Sequence, residues 1–110
     1  MAGTSFITDA SPAGDFEKLT ISTAVVPPTA SKILVNQTGG FHKRAVRAFI
    51  TVETNSIRIR FDGTDPDSTT GHLIIAGDYI TIEGEANVSR LRMIRATADA
   101  TVQITYYYIQ

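Results

Sequence analysis

Apolar and polar side chains alternate one by one along most of this chain, and that period of two commits it to β-structure. A strand sends successive side chains to opposite faces, so alternation reads as one face buried and one face wet. "RAVRAFITVE" (44–53) sets Val46, Ala48, Ile50 and Val52 against Ala45, Arg47, Phe49, Thr51 and Glu53. "SIRIRF" (56–61) sets Ile57, Ile59 and Phe61 against Ser56, Arg58 and Arg60. "TVQITYYYI" (101–109) puts Val102, Ile104, Tyr106 and Tyr108 on one side.

Turn chemistry fills the gaps between these runs. The short "TN" at 54–55 predicts a hairpin between its neighbours. Gly77-Asp78 makes a tight connection between "HLIIA" (72–76) and "YITIEG" (79–84). "FEKLTIS" (16–22) and "SKILVNQ" (31–37) are shorter strand candidates, separated by Pro27-Pro28, which cannot lie inside a central strand. In "VSRLRMIRAT" (88–97), Leu91 and Met93 have one parity while Val88 and Ile94 have the other, and a bulge would reconcile them. No window holds the three-and-four spacing of a helix, and β-branched residues abound. The expected fold is therefore an all-β antiparallel β-sandwich, with the jelly roll among its topologies. Residues 1–15 lack periodicity and read as an extended N-terminal arm, leaving 16–110 as a single sandwich domain.

Composition narrows the classes of function. A chain of 110 residues suits one domain with one modest core. Ten basic residues against eleven acidic ones, a formal net charge of −1, argue against coating nucleic acid by bulk electrostatics. There is no cysteine, so disulfides, thiolate metal sites and cysteine nucleophiles are out. No apolar run approaches the ~20 residues that cross a bilayer as a helix. The start "MAGTSFITDASPAGD" has no basic end followed by an apolar segment, so it does not read as a signal peptide.

Four features compete as sites. Asp62, Asp65 and Asp67 crowd "DGTDPD" and supply oxygen ligands, but the spacing is not that of a calcium loop. Asp-Gly and Asp-Pro are strong turn formers, so turn chemistry is the expected role. His42 and His72, the only histidines, form no metal pattern, and structural hydrogen bonds are expected of them. With no nucleophile elbow and no phosphate-binding glycine loop, no catalytic residue, metal site or cofactor is expected. The arginines say more. Arg58 and Arg60 share one face of a strand, and Arg90 and Arg92 share one face of another. They are either a solvated face paired with Glu53, Glu83 and Glu85 or an interface gripping a partner's carboxylates and carbonyls. Tyr107 faces away from Tyr106 and Tyr108, where a tyrosine favours contact with a partner. In the arm, Phe6 and Ile7 are the large apolar residues besides Met1, and they are the expected anchors in a neighbouring subunit's groove, with folding back on the chain's own sandwich as the other outcome.

The string from "AVRAFITVETNSIRIRFDGTDPDSTTGHLIIAGDYITIEG" through "LRMIRATADATVQITYY" resembles small structural proteins encoded among the virion genes of tailed bacteriophages. The similar elements are "IRFDGT", Pro66, "GHLIIAGD" and the closing "IRAT…TVQITY", covering about residues 45–107. The resemblance implies a non-enzymatic part of the particle, first of all a capsid decoration (cement) protein, with a head–tail connector, tail or fibre-base component as the near alternative. It carries over no catalytic residues. Asp62, Gly63, Thr64, Pro66, Gly71, His72, Gly77 and Asp78 look like turn-builders on this reading too. Implied partners are the major capsid protein, other virion proteins and further copies of the chain, with no direct nucleic acid and no membrane. The implied location is the virion, after synthesis in the bacterial host cytoplasm. A carbohydrate-binding β-sandwich and a small hydrolase are the competing classes.

Overall fold

The computed structural model describes residues 13–36 and 42–108, with only the backbone of Asn36 and His42. In chain order the elements are β1 (Ala13–Ile21), α1 (Ala30–Ile33), β2 (Leu34–Asn36), β3 (His42–Glu53), β4 (Ile57–Arg60), β5 (His72–Ile74), β6 (Tyr79–Glu83), α2 (Glu85–Ser89), β7 (Arg92–Arg95) and β8 (Ala100–Tyr108). The fold is all-β and antiparallel, with two sheets curled into a half-barrel around one core.

The large sheet runs β1-β8-β3, and the far edge of β3 is shared. β2 pairs with its start, His42–Arg44, and β6 pairs with Arg47–Thr51. The small sheet runs β5-β4-β7, and its open edge is closed by Val26, whose N–H and C=O both bond Met93. Counting that bridge as a strand, the two sheets read β1-β8-β3-β6 and β5-β4-β7-Val26. Nearly every step along the chain then crosses from one sheet to the other. This is the strand order of a jelly roll, one of the topologies expected from the sequence.

Alternation places the core. Ile21, Ile50, Val52, Val102, Ile104 and Tyr106 point inward from the large sheet, and Ile57, Ile59 and Met93 meet them from the small one. Along β8 the pattern of alternately buried and half-buried residues is unbroken for all nine positions. β3 departs from the expected parity at its start. A register shift between Ala45 and Arg47 buries Ala45 as well as Ala48, and Val46 is only half-buried. The register of β1 shifts between Ala13 and Asp15, at Gly14. A Cβ on Gly14 would lie 2.2 Å from the Tyr108 ring, so the close approach there requires glycine.

Five expectations need correction. Thr54-Asn55 is not a hairpin: β3 and β4 lie in different sheets, and the connection crosses between them with Thr54 at φ 70. No bulge reconciles Val88 with Leu91, because Val88 is the buried residue of the one-turn helix α2, which ends before β7 begins. A second one-turn helix, α1, takes the first half of the strand expected over 31–37, leaving only β2. Residues 13–15 belong to β1, paired to β8, so the domain starts earlier than residue 16. Arg90 and Arg92 do not share a strand face, since Arg90 is the C-cap of α2.

Candidate interaction surface

The arginines of the small sheet are engaged by the chain itself. On the outer face Arg60 and Arg92 stand directly opposite each other, a like-charge pair that needs relief. Arg60 gets it from Asp62, through Nε and Nη2 at 3.1 and 2.6 Å. Arg92 donates instead to the carbonyls of Ser89 and Leu91, where α2 has run out of backbone partners. Arg58 donates from Nε to the Ser68 carbonyl and from Nη1 to the Gly71 carbonyl. The expected glutamate partners sit elsewhere: Glu85 pairs with Arg44 at 2.8 Å, Glu83 pairs with Arg47 at 3.5 Å, and Glu53 accepts from Gln103 at 2.7 Å.

Arg58 therefore works as a clamp on the segment 61–71. That segment folds over the outer face of the small sheet and buries Pro66. Gly71, at φ 134, makes this possible, because a Cβ there would lie 3.0 Å from the Ile59 carbonyl and 3.1 Å from Pro66. The aspartates shape the segment. Asp62 accepts the Thr64 N–H, and Asp67 accepts both the N–H and the hydroxyl of Thr69. His72 stacks on Phe61, with ring centres 5.9 Å apart.

These bonds favour the ionised carboxylates. Asp62 is held down to about 2, chiefly by its bond with Arg60 and then by the Thr64 N–H. Asp67 is lowered by the Thr69 N–H and hydroxyl. A depressed carboxylate pKa means that the contacts are intact above the ordinary value of 3.8 and lost as pH falls. A carbon-13 titration is expected to put the Asp62 midpoint at about 2, with Arg60→Gln moving it up toward the ordinary value. An ordinary midpoint in the wild type would show that Arg60 and Asp62 are not bonded.

The outer face of the large sheet is different, because no segment among the described residues is clamped over it. Its side chains form cross-strand rows. One row is Phe16–Thr105–Phe49–Thr81, and the next is Lys18–Gln103–Thr51–Tyr79. A third holds Tyr107, Arg47 and Glu83, with the Arg47 guanidinium 4.8 Å from the centre of the Tyr107 ring. Phe16 is 52% exposed and Tyr79 62% exposed, and Tyr79 leans on Phe49 at 5.6 Å between ring centres. Aromatic rings and an arginine spread among threonines make a surface suited to a protein partner. Of the residues singled out from sequence, Tyr107 lies here, while Arg58, Arg60, Arg90 and Arg92 do not. Phe6 and Ile7 lie outside the described residues, as does the His42 side chain. Phe16 and Tyr79 were missed, although each has the outward parity of its strand.

A buried polar cluster also went unread. Glu17 has the inward parity of Leu19 and Ile21 and is buried. It accepts the Tyr106 hydroxyl at 2.5 Å, the Thr29 hydroxyl at 2.5 Å and the Thr29 N–H at 3.1 Å. Burial, and then the bond to Glu17, push the Tyr106 phenol far above its ordinary value. Next to it Tyr108 donates to the Lys32 carbonyl, and Lys32 pairs with Asp15 at 3.2 Å. Together these bonds tie the stretch leading into α1 to β1 and β8.

No family model matches this chain, and no curated protein or solved structure matches it either.

Proposed function

We propose that this protein is a non-enzymatic structural subunit, a decoration (cement) protein on the capsid of a tailed bacteriophage. It contacts the major capsid protein and neighbouring copies of itself. The observation that carries this reading is the asymmetry of the two outer faces. The small sheet is covered over Arg58 by its own segment, and Leu73 opposite Arg58 stays 48% exposed. The large sheet instead presents Phe16, Phe49, Tyr79 and Tyr107 among threonines. Such a face gains by burial of its rings against a flat partner, while Lys18, Arg47, Glu53 and Glu83 offer charges for a partner to pair. The sequence resemblance supplies the particle. The jelly-roll order supports it only by analogy, since capsid and lectin domains both use that architecture.

The outward-facing aromatic pair of half-buried Phe49 and exposed Tyr79 also favours a second reading, a carbohydrate platform. One experiment separates the two. Purified protein is expected to co-sediment with assembled capsids, and the surface variant Phe16→Asp/Tyr79→Asp to bind at least tenfold more weakly with an unchanged circular dichroism spectrum. Retention on immobilised glycans, reversed by free sugar, would support the lectin reading. Failure to bind capsids, connectors or tails would retire the structural one.

A further inference from the structure

We infer that two copies of this chain pair face to face through the outer face of the large sheet, about a two-fold axis that runs across the strands. This rests on the reading of that face as an interaction surface and names a second copy as what it meets. The order of side chains on β3 carries it. Arg47, Phe49, Thr51 and Glu53 stand outward in turn: a cation, a ring, a hydroxyl and an anion. A two-fold contact must be complementary to itself. Laid antiparallel on its own copy, this row puts Arg47 on Glu53 twice and Phe49 on Thr51 twice.

The neighbouring strands agree. The register sets Tyr107, Thr105, Gln103 and Thr101 of β8 beside those four residues, Phe16, Lys18 and Thr20 of β1 beyond β8, and Glu83, Thr81 and Tyr79 of β6 on the other side. About the same axis Phe16 meets the ammonium of Lys18, a favourable contact of cation with ring. Tyr107 meets Thr101, Thr105 meets Gln103, Tyr79 meets Thr81, and Glu83 meets no residue of β6. The charged side chains in these rows, Lys18, Arg47, Glu53 and Glu83, sum to zero, and no like charges oppose one another. Arg47 keeps Glu83 and the Tyr107 ring, Glu53 keeps Gln103, and each gains an opposite charge across the axis. An axis along the strands would instead lay β8 on β3 and set Glu53 on Thr101, with no cation to meet it. Four strands about 4.8 Å apart, with four rows of side chains, cover roughly 500 Å². That is small for a specific interface, so the pair is weak, with a Kd of about 1 μM to 1 mM. A paired subunit grips a particle at two points, so a variant that separates the copies also binds capsids more weakly.

Sedimentation equilibrium of the purified chain is expected to show a concentration-dependent dimer. Glu53→Arg and Arg47→Glu should each weaken it roughly tenfold or more, by setting like charges across the axis. Mixed in equal amounts, the two single variants should dimerise within about threefold of the wild type, because each carries the charge that the other lacks. The Arg47 side chain is only 15% exposed, so a second pair of variants carries the test if Arg47→Glu does not fold. The chain has no cysteine, and a copy with Thr105→Cys mixed with a copy with Gln103→Cys should cross-link faster than either copy alone. A wild type that stays monomeric, folded single variants that do not restore dimers when mixed, or cysteine copies that cross-link no faster together would overturn the inference. A monomer that co-sediments with capsids would overturn the pairing and leave the capsid reading standing. A dimer that binds no capsid, connector or tail would support the pairing and retire the capsid reading.

Discussion

Ile104→Ala is expected to lower the stability of the domain by about 2–5 kcal/mol. Ile104 sits on β8, the strand flanked on both sides, and lies opposite Glu17 on β1 and Ile50 on β3. It has no exposed surface. Truncation removes buried methyl and methylene groups and leaves a hole that a strand held on two edges cannot collapse to fill. A domain of about this size has roughly 5–15 kcal/mol in total, so the loss is a large fraction of it. The thermal midpoint should fall by roughly 10 °C or more. Thr105→Ala, the next residue but on the outer face, is expected to change stability by no more than about 1 kcal/mol. Urea denaturation of both variants checks the contrast. Equal losses would mean that β8 is not oriented as described.

Glu17→Ala should cost about 1–3 kcal/mol, even though it removes a charge from the interior. The carboxylate is the acceptor for the Tyr106 hydroxyl and for two donors of Thr29. Without it the tyrosine hydroxyl is left buried and unbonded, which is the expensive half of a broken hydrogen bond. Glu17→Gln keeps one carbonyl acceptor and should lose less. In the double variant with Tyr106→Phe the donor is gone as well, so the two losses should not add. The alkaline limb gives an independent check. The phenol pKa is raised in the folded state, so its contribution is complete below about pH 10 and is lost as pH climbs further. Tyr106→Phe should flatten that decline. If Glu17→Ala is neutral, or the two losses sum, the cluster does not hold in solution.

The placement of the core was legible in the sequence because a strand converts parity directly into burial. Val102, Ile104, Tyr106 and Tyr108 were assigned inward and all four are buried. Connectivity was not legible in the same way. Thr54-Asn55 and Gly77-Asp78 have the composition of tight turns, and a turn that closes a hairpin looks the same in sequence as one that steps between sheets. The choice is made by partners far along the chain, such as β8 for β3. Helix α2 was missed because one turn buries a single side chain, Val88, which carries no period. The arginine stripe shows the remaining gap. Arg58 and Arg60 do share an outer face, but whether that face meets solvent, a partner or the chain itself depends on where residues 61–71 return. The ring contacts of Tyr79 with Phe49 and of Arg47 with Tyr107 likewise join strands that only the register brings together.

The pairing of β1 with β8 has a consequence for how the molecule comes to exist. Residue Thr20 meets Thr101, and Ala13 meets Tyr107, so the first strand finds its neighbour only when the last has been made. During synthesis β1 must wait, with both edges unmatched and Leu19 and Ile21 uncovered, until roughly ninety more residues have left the ribosome. Contacts so distant along the chain slow folding, because loop closure is entropically costly before any burial offsets it. A nascent chain stalled before residue 100 would display a lone β-strand, open to the same strand of the next nascent chain. Glu17 and Lys18 place charge in the middle of that strand, where like chains in register would repel or be forced to desolvate it. The buried carboxylate that fastens the finished domain thus also discourages its earliest fragment from pairing with the wrong molecule.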